Sequence, residues 1–430
     1  MAQETVAIII LVGVFIALLA SRVSVAVSMG LAAAATYIYL DLPLELVVQY
    51  TVGGVSNFTF MAVPFFILSG ELINQGGIGD RLVALADELI GWVHGGSAMV
   101  NVLASTFFGG VSGSAPADIA ALGPIEARLM KSQGFSHEFS YALTCATAVQ
   151  GMLIPPSHNM VIYAVTAGDS VGAMFTAGLP AGITLALILA VYSYIYARKR
   201  GYASNKKFNL KQMLKALASG LGGLMTIVII VVGVAGGIMT ATESAAIAVL
   251  WSFICAFFIY RDVPLTKYYA IASAAVKTLS TIMILLAIAN CFGWILAYLR
   301  IPKMIADAVL SFSSNKYVII VLIHLVILFL GCFMSISSIL LILTPIVVPI
   351  LNTLDYSLVQ FGICMILNLG IGLLTPPVGS VLFIGSAVAK LPMEKVVKAT
   401  LPFYLCMIVT LLLITFVPEI SLWLPRLFMY

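Results

Sequence analysis

Apolar stretches follow one another along almost the whole chain, separated by short polar or Gly/Pro-bearing joints. The runs fall at 5–40, 46–74, 97–109, 140–165, 173–197, 213–234, 244–260, 270–298, 317–334, 356–375 and 400–424. A helix needs about 20 apolar residues to cross a bilayer. The first run is long enough for two passes, with a break near Ser21-Arg22. In hydrocarbon every backbone polar group must be paired internally, and with no alternating strands in the pattern that leaves helices. The pattern predicts an all-α polytopic membrane protein.

Composition agrees. Hydrophobic residues are 62% of the chain and charged residues 9%, with a mean hydropathy of +1.13. Soluble domains carry about 25% charged residues, so this chain cannot cover itself with a wettable surface. A net charge of +4 implies no nucleic-acid partner. The six cysteines sit inside apolar runs without CxxC spacing and are expected to pack helices. The stretch Met1–Ala20 lacks the basic leader and cleavage pattern of a secretory signal.

The chain also repeats itself at a spacing of 221 residues without a gap. Ile154-Pro155-Pro156 answers Thr375-Pro376-Pro377, Asp41-Leu42-Pro43-Leu44 answers Asp262-Val263-Pro264-Leu265, and Gly110, Ser114, Pro124 and Gly151 answer Gly331, Ser335, Pro345 and Gly372. Four of the seven prolines in the first 209 positions fall on prolines, which marks duplication. Basic residues in short loops mark the cytoplasmic side. The linker carries Arg198, Lys199, Arg200, Lys206, Lys207, Lys211 and Lys215, so it is expected inside. Counting back, Thr166–Gly172 lies outside and Glu126–His137 inside. The matching loops of the second half carry the opposite charge bias: Val347–Ser357 has no Lys or Arg, whereas Ala389–Lys398 has three. The repeats are therefore expected to be inverted. Arg300, Lys303 and Lys316 resist, falling on the outer side.

Two kinds of interruption recur. Residues 108–116 (FGGVSGSAP) are small, polar and helix-breaking, flanked by segments too short to span, as in a re-entrant hairpin that turns at mid-membrane. Gly331–Ser338 is its partner. The double prolines at 151–159 (GMLIPPSHN) and 372–380 (GLLTPPVGS) are expected to break a helix there. Freed carbonyls can then hold a cation, and half-helix N-termini an anion. Matched interruptions in two halves are the best sequence pointer to a transport site. No HExxH, no P-loop and no strand-borne GxSxG elbow is present, so an enzymatic reading has no support.

The motif GGVSGSAPADIAALGPI at 109–125, IPPS at 154–157 and Thr240-Ala241-Thr242-Glu243 opening a helix resemble the large membrane subunit of tripartite ATP-independent periplasmic (TRAP) transporters. The likeness spans essentially the whole chain, within the ion transporter superfamily, and leans toward the sialic-acid type. It implies an elevator-type carrier in which residues 1–197 form a first inverted repeat (scaffold helices 1–90, transport elements 95–197). Residues 198–212 form a cytoplasmic linker, and 213–430 the second repeat (scaffold 213–315, transport elements 317–424). It implies Na⁺ coupling through two or more ions, a separate small four-helix membrane subunit, a periplasmic substrate-binding protein, an organic-acid substrate such as sialic acid or a C4-dicarboxylate, and an inner-membrane location. Carried over, the first Na⁺ site uses Gly110, Ser112, Ser114, Gly151 and Pro155; the second uses Gly331, Ser335, Ser337, Gly372, Thr375 and Pro376. Substrate is expected against Ser112, Ser114, Ser157, His158, Asn159 and Ser380. Asp118 is a further candidate as an intramembrane charge. Arg22 and Glu243, 221 apart, are candidates for a charge pair across the pseudo-axis, with a snorkelling interfacial Arg22 as the equal alternative. A stand-alone Na⁺/carboxylate symporter shares the same plan; an aqueous channel and a non-transporting scaffold are weaker alternatives.

Overall fold

The computed structural model describes residues 2–204, 206–313 and 315–429, and every regular element among them is helical. The first half runs α1 (Ala2–Ala20), α2 (Val25–Tyr39), α3 (Glu45–Val55), a 3₁₀ turn (Phe58–Met61), α4 (Ala62–Gln75), α5 (Ile78–Ile90), α6 (Gly96–Ser112), α7 (Ala115–Ser132), α8 (His137–Gly151), α9 (His158–Ala167) and α10 (Val171–Arg200). The second runs α11 (Leu210–Ala235), α12 (Ala241–Ile254, extended by a π turn), α13 (Tyr268–Tyr298), α14 (Ile301–Phe312), α15 (Lys316–Gly331), α16 (Ile336–Thr353), α17 (Leu358–Leu373), α18 (Ser380–Ala389), α19 (Met393–Phe416) and α20 (Glu419–Phe428). Among the described residues, eight helices are long and apolar enough to cross a membrane.

The 221-residue echo reappears as structure. The bounds of α7 fall on those of α16, and α8 and α17 begin in register. Ser136 and Ser357 cap those two helices alike, each hydroxyl accepting from the backbone N–H three residues on at 3.3 Å. Both proline pairs are joined by cis peptide bonds. Contacts between the halves are reciprocal: α9 packs on α16 as α7 packs on α18, which is what a two-fold relation produces. The echo fails in two places. Where the first half breaks at Asn57, whose side chain accepts from Thr59 N at 2.9 Å, the second carries the unbroken α13, and α20 has no counterpart.

Burial places the core around the interrupted helices. Every residue of α8 from Phe139 to Gly151, and of α17 from Val359 to Leu373, is buried, whereas α1 is largely exposed. Several boundaries differ from the sequence expectation. The first hairpin turns only at Gly113-Ser114, because α6 stays helical through Gly109 and Gly110. Glu126, expected in an inside loop, lies within α7. The run at 400–424 divides at Val417-Pro418, where proline cannot extend α19. Within the linker expected at 198–212, α10 runs through Arg200 and α11 begins at Leu210.

Candidate functional site

Each hairpin tip sits on the broken helix of its own half, and glycine allows the approach. A Cβ on Gly109 would lie 2.3 Å from the Gly151 Cα, and one on Gly372 would lie 2.7 Å from the Gly331 Cα. At the first tip Gly113 takes φ +56° and abuts the break so closely that a Cβ would meet the Pro156 carbonyl at 2.4 Å. Around this crossing stand Gly110, where a Cβ would lie 3.2 Å from Ile154, with Ser112, Ser114 and Gly151, beside Pro155 in the adjoining break. Ser114 stands at the N-cap of α7 without capping it; its N–H donates to the Ser112 hydroxyl at 3.4 Å. Ser157 is fully buried with an unpartnered hydroxyl, His158 opens α9 half-buried, and Asn159 is buried beside it.

The second tip is built differently. Gly331, Met334, Ser335, Leu373, Gly379 and Ser380 are among the residues lining a cavity of about 110 Å³ between the turn and the break. Ser335 caps α16, accepting from the Ser338 N–H at 3.4 Å and sharing a 2.7 Å bond with the Ser338 hydroxyl. Thr375 donates to the Ile371 carbonyl of its own helix at 2.8 Å, and neither it nor Pro376 lines the cavity. Ser337 turns instead to the first half, donating to Asn159 Oδ1 at 3.5 Å. Ser380 thus belongs with Ser335, while Ser112, Ser114, Ser157, His158 and Asn159 cluster about the first break; the Ser337–Asn159 contact bridges the two groups. The first break is buried throughout 151–157; the second is exposed at 376–378.

Beneath the first tip lies a polar network between α6, α7 and α8. Ser105 donates to Asp118 Oδ1 at 3.1 Å and meets Thr147 at 3.1 Å; Thr147 donates to Asn101 Oδ1 at 2.9 Å. Asn101 donates to Thr144 at 2.7 Å, and Thr144 to Glu126 Oε2 at 2.9 Å. One chain of hydrogen bonds therefore joins two carboxyl groups, each only 1% exposed. Their outer oxygens, Asp118 Oδ2 and Glu126 Oε1, have no partner. Sequence reasoning reached Asp118 and missed Glu126. The available signal was a polar stripe on each helix: Asn101 and Ser105 on α6, Asp118 and Glu126 on α7, Thr144 and Thr147 on α8.

The expected Arg22–Glu243 pair does not form. Arg22 sits exposed in the turn between α1 and α2, and Glu243 is engaged locally in a capping box, accepting from Thr240 N at 2.8 Å and from its hydroxyl at 2.9 Å. A larger cavity of about 420 Å³, with Tyr50, Asn57, Thr166, Asn290, Trp294 and Pro345 in its walls, is lined by residues of α3, α13, α9 and α16.

Comparison with known proteins follows this geometry. The family model for the tripartite ATP-independent periplasmic transporter, DctM component, matches residues 12–420. The chain is 41% identical to the uncharacterized protein YgiK of Salmonella typhimurium, over 90% of this chain and 89% of that one. It is 37% identical to the sialic acid TRAP transporter large permease SiaM of Vibrio cholerae, over 90% of each. It is also 37% identical to the C4-dicarboxylate TRAP transporter large permease DctM of Pseudomonas aeruginosa, over 86% of this chain and 87% of that one.

Proposed function

This chain belongs to the family of DctM components of TRAP transporters, and from that premise we propose that it imports an organic acid in symport with Na⁺. As a large permease subunit it is a multi-pass protein of the bacterial inner membrane, a transporter rather than an enzyme. On our reading the substrate is a carboxylate such as sialic acid or a C4-dicarboxylate, delivered by a periplasmic binding protein, and a separate small four-helix subunit completes the membrane complex. Equal identity to relatives with those two substrates leaves both in play.

The observation that carries the proposal is the seating of each serine-bearing tip on a broken helix. Hydroxyls and freed carbonyls are hard oxygen donors, and at the second tip Gly331, Ser335 and Ser380 line a cavity of about 110 Å³. Ser157, buried with an idle hydroxyl at the N-terminus of α9, is placed to meet a carboxylate. The cavity between α3/α13 and α9/α16 supports a division into scaffold and moving transport elements, hence an elevator motion, with the repeats inverted as the loop charges indicate.

Reconstitution in liposomes under an inward Na⁺ gradient tests this. Uptake of the labelled acid is expected only with the binding protein and the small subunit present. Uptake without the binding protein would make the chain a stand-alone symporter, and uptake indifferent to Na⁺ would remove the coupling. Unchanged uptake after Ser112, Ser114 and Ser335 are all replaced by alanine would leave only a scaffold role.

A further inference from the structure

The polar network beneath the first tip is one hydrogen short. Five links run in series from Asp118 through Ser105, Thr147, Asn101 and Thr144 to Glu126. Each link needs one hydrogen to be a hydrogen bond. A hydroxyl has one to give, and an amide that accepts on one side gives one on the other. The side chains between the two carboxyl groups therefore supply four, whichever way the Asn101 amide is turned. With Ser105 donating to Asp118 and Thr147 to Asn101, the 3.1 Å link between Ser105 and Thr147 has none. The fifth hydrogen has to come from a carboxyl group.

Position along α7 decides which. Asp118 lies in the first turn, where the N-terminus of the helix favours a negative charge. Glu126 lies about two turns further on, beyond the reach of that effect. Both are 1% exposed, Glu126 Oε1 has no partner, and neither carboxyl meets a basic side chain among the described residues. The ionisable groups facing the pair are Tyr141 and Cys145 of α8. Neither α6 nor α18 carries any, His137 engages the Ala389 carbonyl, and Arg128 engages the Pro124 carbonyl. The charges of α5, the arm helix that α14 matches in the second half, turn elsewhere: Arg81 to Asp262, and Asp87 and Glu88 to Lys206.

We propose that Glu126 is a proton-binding site, held as a neutral acid that donates to Thr144. Once the Asn101 amide is turned over, every link has its hydrogen. Thr144 donates to Asn101 Oδ1, Asn101 to Thr147, Thr147 to Ser105 and Ser105 to Asp118. The exchange gives up only a weak contact of the Asn101 amide with the Met130 sulfur at 3.8 Å. Loss of the proton would put a second charge in an interior that already holds Asp118, and would leave the chain one hydrogen short again. Val347 holds the equivalent place in the second half, so that half has no counterpart of this site.

The test uses the full chain, purified in detergent at neutral pH, and reads the infrared carbonyl band of a protonated carboxylic acid. No transport is measured, so its failure would leave the transport reading standing. The wild type is expected to show the band. Glu126→Gln is expected to lose it while melting close to the wild type, because the amide N–H replaces the acid O–H toward Thr144. Glu45→Gln, at an exposed glutamate opening α3, is expected to leave the band unchanged. Thr144→Val removes the acceptor and is expected to displace the band without abolishing it. A wild type without the band would overturn the proposal. So would a band that survives in Glu126→Gln, and its loss in Asp118→Asn would then put the proton at the other end of the chain. A band unmoved by Thr144→Val would overturn it as well, since the acid would not be donating into the network.

Discussion

The two hairpins share a backbone and differ in what fills them. At the first, Asn101, Ser105, Asp118, Glu126, Thr144 and Thr147 join three helices by directional bonds. The positions 221 residues on hold Leu322, Val326, Ile339, Val347, Met365 and Asn368. Of these only Asn368 is polar, and it works elsewhere, donating to the His324 carbonyl at 2.7 Å while His324 meets Thr415 at 3.2 Å. Where the first hairpin carries its network the second holds mainly apolar side chains, over a break exposed at 376–378. A network of buried hydrogen bonds fixes one geometry, whereas apolar faces tolerate displacement. The first hairpin is thus tied together by directional bonds, and the equivalent positions of the second by apolar contact.

Carrying a carboxylate across the repeat tests this most severely. Val347, 5% exposed, occupies the place of Glu126 but has no Thr144 opposite it, only Met365. Val347→Glu should cost about 3 kcal/mol or more, because the new group is buried without a donor. Glu126→Gln keeps an acceptor for Thr144 and should cost less than about 1 kcal/mol. Thermal melting in detergent reads both. Val347→Glu melting like the wild type would mean that the second interior is not closed to water, and the contrast between the hairpins would fail.

A smaller effect separates the tips themselves. Ser335 caps its helix and Ser114 does not. Ser335→Ala should lower stability by about 1 kcal/mol, the usual worth of an N-cap. Ser114→Ala should change it by less than about 0.5 kcal/mol, as for a substitution that removes no packed or capping contact. Equal losses in melting would show that the Gly113–Ser114 turn is capped after all.

Much of this plan was legible in the residues. Proline pairs and glycine-serine runs act on their own backbone, so hairpins, breaks and the 221-residue register could be read locally. What stayed hidden depended on partners far along the chain. Glu126 looked like a loop residue because Arg128 and Lys131 follow it; only the packing of α6 and α8 shows that it points into a polar interior. Arg22 and Glu243 share a register, yet Thr240 lies three residues from Glu243 and satisfies it within one turn.

The weakest effect expected concerns the arms, where the halves differ again. Lys206 in the linker reaches Asp87 at 2.6 Å and Glu88 at 3.0 Å, and Ser204 donates to the Gly91 carbonyl at 2.6 Å, tying α5 to the joint between the repeats. The positions on α14 equivalent to Asp87 and Glu88 are Ala308 and Val309, which carry no charge, so the second arm has no such tie at those positions. Partial burial alone would lower the Lys206 pKa, but hydrogen bonds and charge from Asp87 and Glu88 outweigh it and leave the pKa above the ordinary lysine value. A raised folded-state pKa means that the tie is fully present below the ordinary lysine range and is lost only as pH rises through the shifted value. Protease cleavage of the wild-type linker should therefore be flat between about pH 6 and pH 9. Lys206→Met should quicken cleavage modestly and by the same factor across that window, since a half-exposed ion pair contributes little. A wild-type linker that loosens on passing from pH 6 to pH 9 would show that Lys206 does not hold α5, and the two arms would then differ only in packing.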